Sequence, residues 1–346
     1  MNESQNKKFK SKTNKGSNAA ASAFGWDFQA NAAILLMLEN IKEAKSVKVE
    51  AETEDIEITL NNNNIIYSQA KSIENINSIS NLLEKLKDGL RTLNNAYNNQ
   101  DAECLIYITN HSNPFNDKTS IQYFLGRSKL KYEELTEECK KKIDDIITKN
   151  NYSIDTNKLK IYTLPFYGSD KDNRDKAIKE AVGEFLDELD INSPYTPKRM
   201  LEIWQKDFFH NSTIPDSTLQ IKKKDMMWAL IAEACKFNPE DNFLLYNCDE
   251  GDIDEIEYKY KAIINNKTEE FVFANKILSD YEQYSKSSIS CKKMEKFINE
   301  EYVRYSNEFD IKHIDERLKN CLIKVILHKI ITKKHLIGKI KKGANI

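Results

Sequence analysis

Residues 46–71 constrain the fold more than any other stretch. Ser46 to Glu52 (Ser-Val-Lys-Val-Glu-Ala-Glu) alternates as a strand does. Asp55 to Leu60 alternates again, with Ile56, Ile58 and Leu60 on one face and Asp55, Glu57 and Thr59 on the other. Asn61 to Asn64 is a polar turn signal, and Ile65 to Lys71 reads as a third strand. Gln69 and Lys71 are two apart and leave one face together, while Ala70 points to the core. A hairpin centred between residues 62 and 63 puts Asp55 opposite about residue 70, level with Gln69 and Lys71.

Helical and extended patterns on either side make this hairpin part of a mixed sheet. Residues 18–43 form a helix rich in Ala and Leu, with Phe24, Phe28, Ile34, Leu35 and Leu38 at helical spacing. A long amphipathic helix covers 74–99. Cys104 to Thr109 is a nearly continuous apolar run, as expected of a strand covered on both faces. A charged helix over 130–149, a strand at Leu159–Leu164 and a helix over 174–189 follow. After Asn192-Ser193-Pro194 the pattern is mostly helical: Thr196–Phe209, Lys224–Phe237, about 267–285, Cys291–Ser306 and His313–Ile340, with short extended pieces at Leu244–Asn247 and Ile256–Tyr260. The expected class is α/β (α+β), a mixed sheet flanked by helices and followed by a mainly helical C-terminal domain. The expected divisions are a disordered basic tail (1–17), a sheet domain (18–195) and a helical domain (196–346), in keeping with roughly 150 residues per domain.

Composition removes several classes. The 346 residues carry a net charge of -2, so global charge does not predict nucleic-acid binding and any DNA surface must be a local basic patch. Cys104, Cys139, Cys235, Cys248, Cys291 and Cys321 are widely spaced with no Cys-x-x-Cys pair, which argues against structural zinc and is read as reduced thiols in a cytoplasm. No signal peptide is visible, and no apolar run approaches the roughly 20 residues that span a bilayer.

Asp55, Gln69 and Lys71 are the residues with chemistry in reach. Carboxylate, amide oxygen and backbone carbonyl suit Mg²⁺, which takes few protein ligands, and Mn²⁺ can substitute. Asp55, the Gln69 side-chain oxygen and the Ala70 carbonyl are the expected metal ligands, and Lys71 supplies positive charge for a phosphodiester in transit. A solvated sheet face with alternating charges is the competing reading of the same spacing.

The order of three elements goes further. A helix bearing Gly25-Trp26-Asp27-Phe28-Gln29, a strand reading E-x-E-x-E-D-I-E-I, and a strand reading Tyr67-Ser68-Gln69-Ala70-Lys71 together resemble the PD-(D/E)xK nuclease superfamily. More narrowly, the stretch from about 20 to 190 is similar to the double-stranded DNA endonuclease domain of CBASS effector nucleases. That domain type is also the nuclease module of Lamassu and related ABC-ATPase-linked defence systems. Gln69-Ala70-Lys71 matches the Q-x-K form of the lysine motif, and Cys104–Asn110 resembles the strand that follows. The resemblance implies a restriction-endonuclease-like sheet. It makes Asp55 the metal-binding acid, Gln69 the second acidic position and Lys71 the catalytic lysine. It places Gln29 where related nucleases often have Glu, with Glu50 and Glu52 as accessory ligands. Two departures stand out. Positions 29 and 69 are amides, and Glu54 replaces the proline before Asp55, which leaves Glu54 and Glu57 as rival acids. Glu57, sharing a face with Asp55, is the stronger rival.

The second half carries no convincing second catalytic set. Trp204, Phe208, Phe209, Met226, Met227 and Trp228 read as core, and the acidic run Asp249–Glu257 as a solvated loop or a surface for a basic partner, without calcium-loop spacing. The basic amphipathic stretch Lys312–Lys342 ranks first as partner or core packing, then as DNA-binding, last as membrane-binding. The resemblance thus implies a Mg²⁺-dependent double-stranded DNA endonuclease, the effector of a bacterial anti-phage defence complex. It would be cytoplasmic, restrained by partner subunits such as an SMC-like ATPase, and homo-oligomeric when active. A non-catalytic DNA-binding or scaffolding subunit with the nuclease fold, and an effector activated by a cyclic oligonucleotide, are the alternatives.

Overall fold

The computed structural model of the chain describes residues 17–51, 54–98, 102–191, 196–214, 216, 218–264, 268–284, 290–308 and 314–346. The basic tail and Glu52 lie outside the described residues, apart from Ser17, which opens the first helix.

Helix α1 (Ser17–Glu39) is apolar from Phe28 to Leu38 except at Gln29 and Asn31, so it needs cover on nearly all sides. It obtains that cover between a sheet and two later helices. The sheet contains β1 (Ala44–Val49), β2 (Ile56–Leu60) and β3 (Ile65–Lys71). After α2 (Leu82–Tyr97) come β4 (Ala102–Thr109), β5 (Ser128–Lys131), α3 (Glu137–Asn150) and β6 (Leu159–Thr163). Helices α4 (Lys171–Arg174), α5 (Lys176–Glu188) and α6 (Pro197–Ser212) follow, then β7 (Ile221–Lys222) and α7 (Lys223–Ala234). The sheet has seven strands in the order β5-β6-β4-β3-β2-β1-β7. The pairs β3–β4 and β4–β6 are parallel and the others antiparallel. Parallel neighbours need a long crossover, which α2 supplies between β3 and β4.

The sheet separates two apolar layers. Ile56, Ile58, Ile66, Ala70, Ile106 and Ile108 face α1, α5 and α6; Tyr67, Leu105, Tyr107 and Ile161 face the side of α2 and α3. Cys104 to Thr109 is therefore buried on both faces, as its unbroken apolar run predicts.

The hairpin register differs by one residue from the expected one. Ile56 lies opposite Ser68 and Glu57 opposite Tyr67, so Asp55 falls level with Gln69 and not with residue 70. The turn causes this. Leu60 N–H donates to the Asn64 carbonyl at 2.8 Å, leaving a three-residue loop in which Asn63 takes a left-handed φ of 66°. Asn reaches that region more readily than most residues.

The chain crosses residue 196 without leaving this core. Helix α6 packs on α1 and α5, β7 pairs with β1, and one apolar cluster runs from Phe28 to Ala344. Lys48, 1% exposed in β1, donates to the carbonyls of Asn211 (3.2 Å), Ile214 (3.2 Å) and Asp216 (3.4 Å). The remaining elements are helical: α8 (Asn242–Asn247), α9 (Ile253–Ile264), α10 (Thr268–Gln283), α11 (Ser290–Glu301), α12 (Glu316–Thr332) and α13 (Lys334–Ala344). The pieces expected to be extended at 244–247 and 256–260 are helices α8 and α9, since apolar runs this short do not separate the two periods. The basic C-terminal stretch is two helices meeting at Lys333. Its apolar positions are core, and Lys329 and Lys339 are paired with Asp241 and Asp190. The acidic run is not a free loop: Arg317 binds Asp249 and Asp252, and Glu257 pairs with Lys261.

The cysteine expectation needs correction. Cys248 and Cys321 are joined as a disulfide across 73 residues, with Cα atoms 5.9 Å apart, tying the end of α8 to α12. Linear spacing cannot reveal a pairing that helix packing creates. Cys104, Cys139 and Cys235 are free and buried. Among the described residues, no helix is long and apolar enough to cross a membrane.

Gly89 sets how closely α2 approaches the sheet. A Cβ there would lie 2.5 Å from Tyr107 Cδ2, 2.6 Å from its Cε2 and 3.6 Å from Gln69 Cγ. Alanine normally improves a helix interior by about 1 kcal/mol over glycine. Overpacking a ring that cannot move costs about 1–3 kcal/mol, so the clash wins. Gly89→Ala is expected to destabilise the protein in urea unfolding, whereas Gly338→Ala, with no atom within 4 Å of the new Cβ, is expected to stabilise it.

Candidate functional site

The β1–β2 connection carries the acids. Glu50 N–H donates to the Asp55 carbonyl at 2.8 Å, and Ala51 N–H to the Glu54 carbonyl at 3.0 Å, so the hairpin ladder continues past the strands. Glu50 pays for the tight path with a φ of 53°, rare for a residue with a Cβ. Asn211, from α6, steadies the end of β1 by accepting from Val49 N–H through Oδ1 at 3.2 Å.

Asp55 is the hub. Its Oδ2 accepts the Ala70 N–H at 2.9 Å and the Gln69 side-chain amide. The Gln29 side chain, reaching over from α1, bonds both Asp55 and Glu50. Burial raises the Asp55 pKa; Lys71 is the largest opposing influence, followed by the bonds from Ala70, Gln29 and Gln69. Glu50 is also raised, first by burial and then by the Asp55 charge. Asp55, Gln69, Ala70, Lys71, Gln29 and Glu50 thus gather at the carboxyl end of β3. Glu57 stands one pleat away on β2, opposite Tyr67. Two details differ from the expected ligand set. The nitrogen end of the Gln69 amide faces Asp55, and Ala70 meets Asp55 through its N–H.

Three features were underrated or missed in the sequence. Glu54 is only 3% exposed, and neither of its carboxylate oxygens has a hydrogen-bond partner. Burial, reinforced by Asp55, pushes its pKa up to about 9, against the pull of Lys71. Gln29 Oε1 and Ser68 Oγ are likewise buried without a partner. Second, Lys85 donates to the Ser72 carbonyl at 2.9 Å, and its pKa is lowered first by burial and then by the charge of Lys71. Half-buried itself, it stands on the face of α2 between the buried Leu82 and Gly89, which helical periodicity could have shown. Third, Asn110 accepts from Ile73 N–H (2.8 Å) and donates to the carbonyls of Ile73 (2.9 Å) and Phe166 (2.9 Å). It pins the chain just after Lys71 to the loop beyond β6.

These groups fit a hard divalent cation in kind. The unpartnered acceptors beside Asp55 are oxygens, with no sulfur or imidazole among them. Among the described residues, no three His, Cys, Asp or Glu side chains form a metal-holding group, so backbone or amide oxygens and water would complete the shell. A separate cavity of about 710 Å³ lies between α6, α7 and α9 and touches none of these residues. No family model, curated protein or solved structure matches the chain.

His111 follows Asn110 and is 4% exposed. Its Nδ1 accepts the Asn113 N–H at 2.9 Å, and burial lowers its pKa below 6.5. The unfolded chain therefore takes up this proton first as the pH falls, so the contribution to stability is present above about 6.5 and lost below it. The thermal midpoint is expected to fall more steeply below that pH in the wild type than in His111→Gln.

Proposed function

We propose that the chain is a Mg²⁺-dependent double-stranded DNA endonuclease with a restriction-endonuclease-like core, the effector subunit of a bacterial anti-phage defence complex. The observation that carries this reading is the Asp55 carboxylate locked at the end of β3 by Gln69 and Ala70, with Lys71 next on the same face. Asp55 holds negative charge at a fixed point. Lys71 places positive charge where a phosphodiester accumulates negative charge during cleavage. Lys85 holds a second positive charge beside it. A bound Mg²⁺ or Mn²⁺ would supply Lewis acidity and a more acidic water.

Cutting host DNA is harmful, so such a subunit needs restraint. The helical region has a physical route to the site: the end of α6 and the segment after it grip β1 through Asn211, Ile214 and Lys48, immediately before the acidic turn. This supports control by partner subunits, such as an SMC-like ATPase, or by self-assembly.

One observation favours the second reading, a non-catalytic DNA-binding or scaffolding subunit. Oδ2 of Asp55 is already satisfied by protein donors. Crystals grown with DNA and Mn²⁺ that show no ion beside Asp55 would support that alternative.

The direct experiment is cleavage of supercoiled plasmid with Mg²⁺ by the chain assembled with its partner subunits. Asp55→Ala and Lys71→Ala are each expected to lower the rate by about 10²-fold or more. Equal cutting by all three proteins would sink the assignment.

A further inference from the structure

We propose that Glu54 is the second carboxylate ligand of a divalent cation held at Asp55, taking the acidic role that the amide Gln69 cannot fill. The inference rests on the nuclease reading of this site and names a ligand within it.

The acids of the hairpin differ in their surroundings. Glu50 keeps part of its surface in solvent and takes a bond from Gln29. Glu57 is half-buried, in the β2 ladder. Glu54 is 3% exposed, with both oxygens lacking any partner. Buried carboxylates are ordinarily paired or bound to metal, because their charge is expensive to strip of water. An acid retained without a partner calls for an explanation in the site itself.

The neighbourhood supplies one. Glu54 directly precedes Asp55 in the turn that closes β1 onto β2, where the Glu50 N–H meets the Asp55 carbonyl at 2.8 Å, so it belongs to the same cluster. The Gln29 amide bonds Glu50 and Asp55, while its Oε1 is buried with no donor. Two carboxylates and an amide oxygen make an all-oxygen set suited to Mg²⁺ or Mn²⁺. The main chain favours this placement, since the Ala51 N–H holds the Glu54 carbonyl at 3.0 Å and fixes the backbone that presents the side chain.

Mn²⁺ titration of the full-length chain, followed by calorimetry and electron paramagnetic resonance, tests the assignment. Glu54→Gln keeps the side-chain shape and is expected to weaken Mn²⁺ binding by about tenfold or more, while Glu57→Gln leaves it within about twofold. Without metal, Glu54→Gln is expected to melt close to the wild type, because an acid whose pKa burial pushes up to about 9 is already uncharged at neutral pH and the amide keeps its shape, and to lose the rise in melting temperature that Mn²⁺ gives the wild type. If Glu54→Gln binds Mn²⁺ as the wild type does while Asp55→Asn does not, the Glu54 assignment fails and the nuclease reading stands. If the wild type itself binds no Mn²⁺, the metal-dependent reading falls and takes this assignment with it.

Discussion

The register of β2 on β3 is the constraint on which the site depends. Side chains alternate along a strand, so a slip of one residue would exchange Asp55 and Glu57 with Ile56 and Ile58 between the faces. The three-residue turn with Asn63 in the left-handed region fixes the register, and the apolar layer under α1 holds it. With Ile56 opposite Ser68, the Asp55 carboxylate meets the Gln69 amide and the Ala70 N–H.

Two supports hold the ends of this arrangement. On one side Asn110 ties the chain beyond Lys71 to the loop after β6. On the other, Lys48 and Asn211 fasten the end of β1 to the last turn of α6. Gly89 lets α2 press close to Tyr107 and Gln69 from below. The strained φ at Glu50 persists because the bonds around it over-determine the turn. The site is therefore held by residues from both halves of the chain.

Much of this was legible from pattern. Alternation around residues 46–71 identified three strands, and the unbroken apolar run at Cys104–Thr109 identified a strand covered on both faces. Helical spacing found α1, α6 and α7 with their ends shifted by a few residues, but it started α2 at 74 where the helix begins at Leu82, and started α3 at 130, inside β5, where the helix begins at Glu137. It did not find β5 or β7. These strands have four and two residues, too few to show a period, and β7 exists only because the edge of β1 is there to pair with. The disulfide between Cys248 and Cys321 was hidden for a similar reason: two helices bring together cysteines that lie 73 residues apart.

Side-chain alternation is a local property of an extended backbone, so the strand faces, and with them the grouping of Asp55, Gln69 and Lys71, follow from the order of residues alone. Which of the neighbouring acids is stripped of water is set by packing between distant parts of the chain. Glu54 and Glu57 look equivalent as letters, and shared-face logic favoured Glu57. Burial depends on what packs over a turn, on α1 reaching it through Gln29 and on the later helices bracing β1, and none of that is written within the hairpin. The folded chain buries Glu54 without a partner and leaves Glu57 half-exposed, which moves attention to the residue immediately before Asp55.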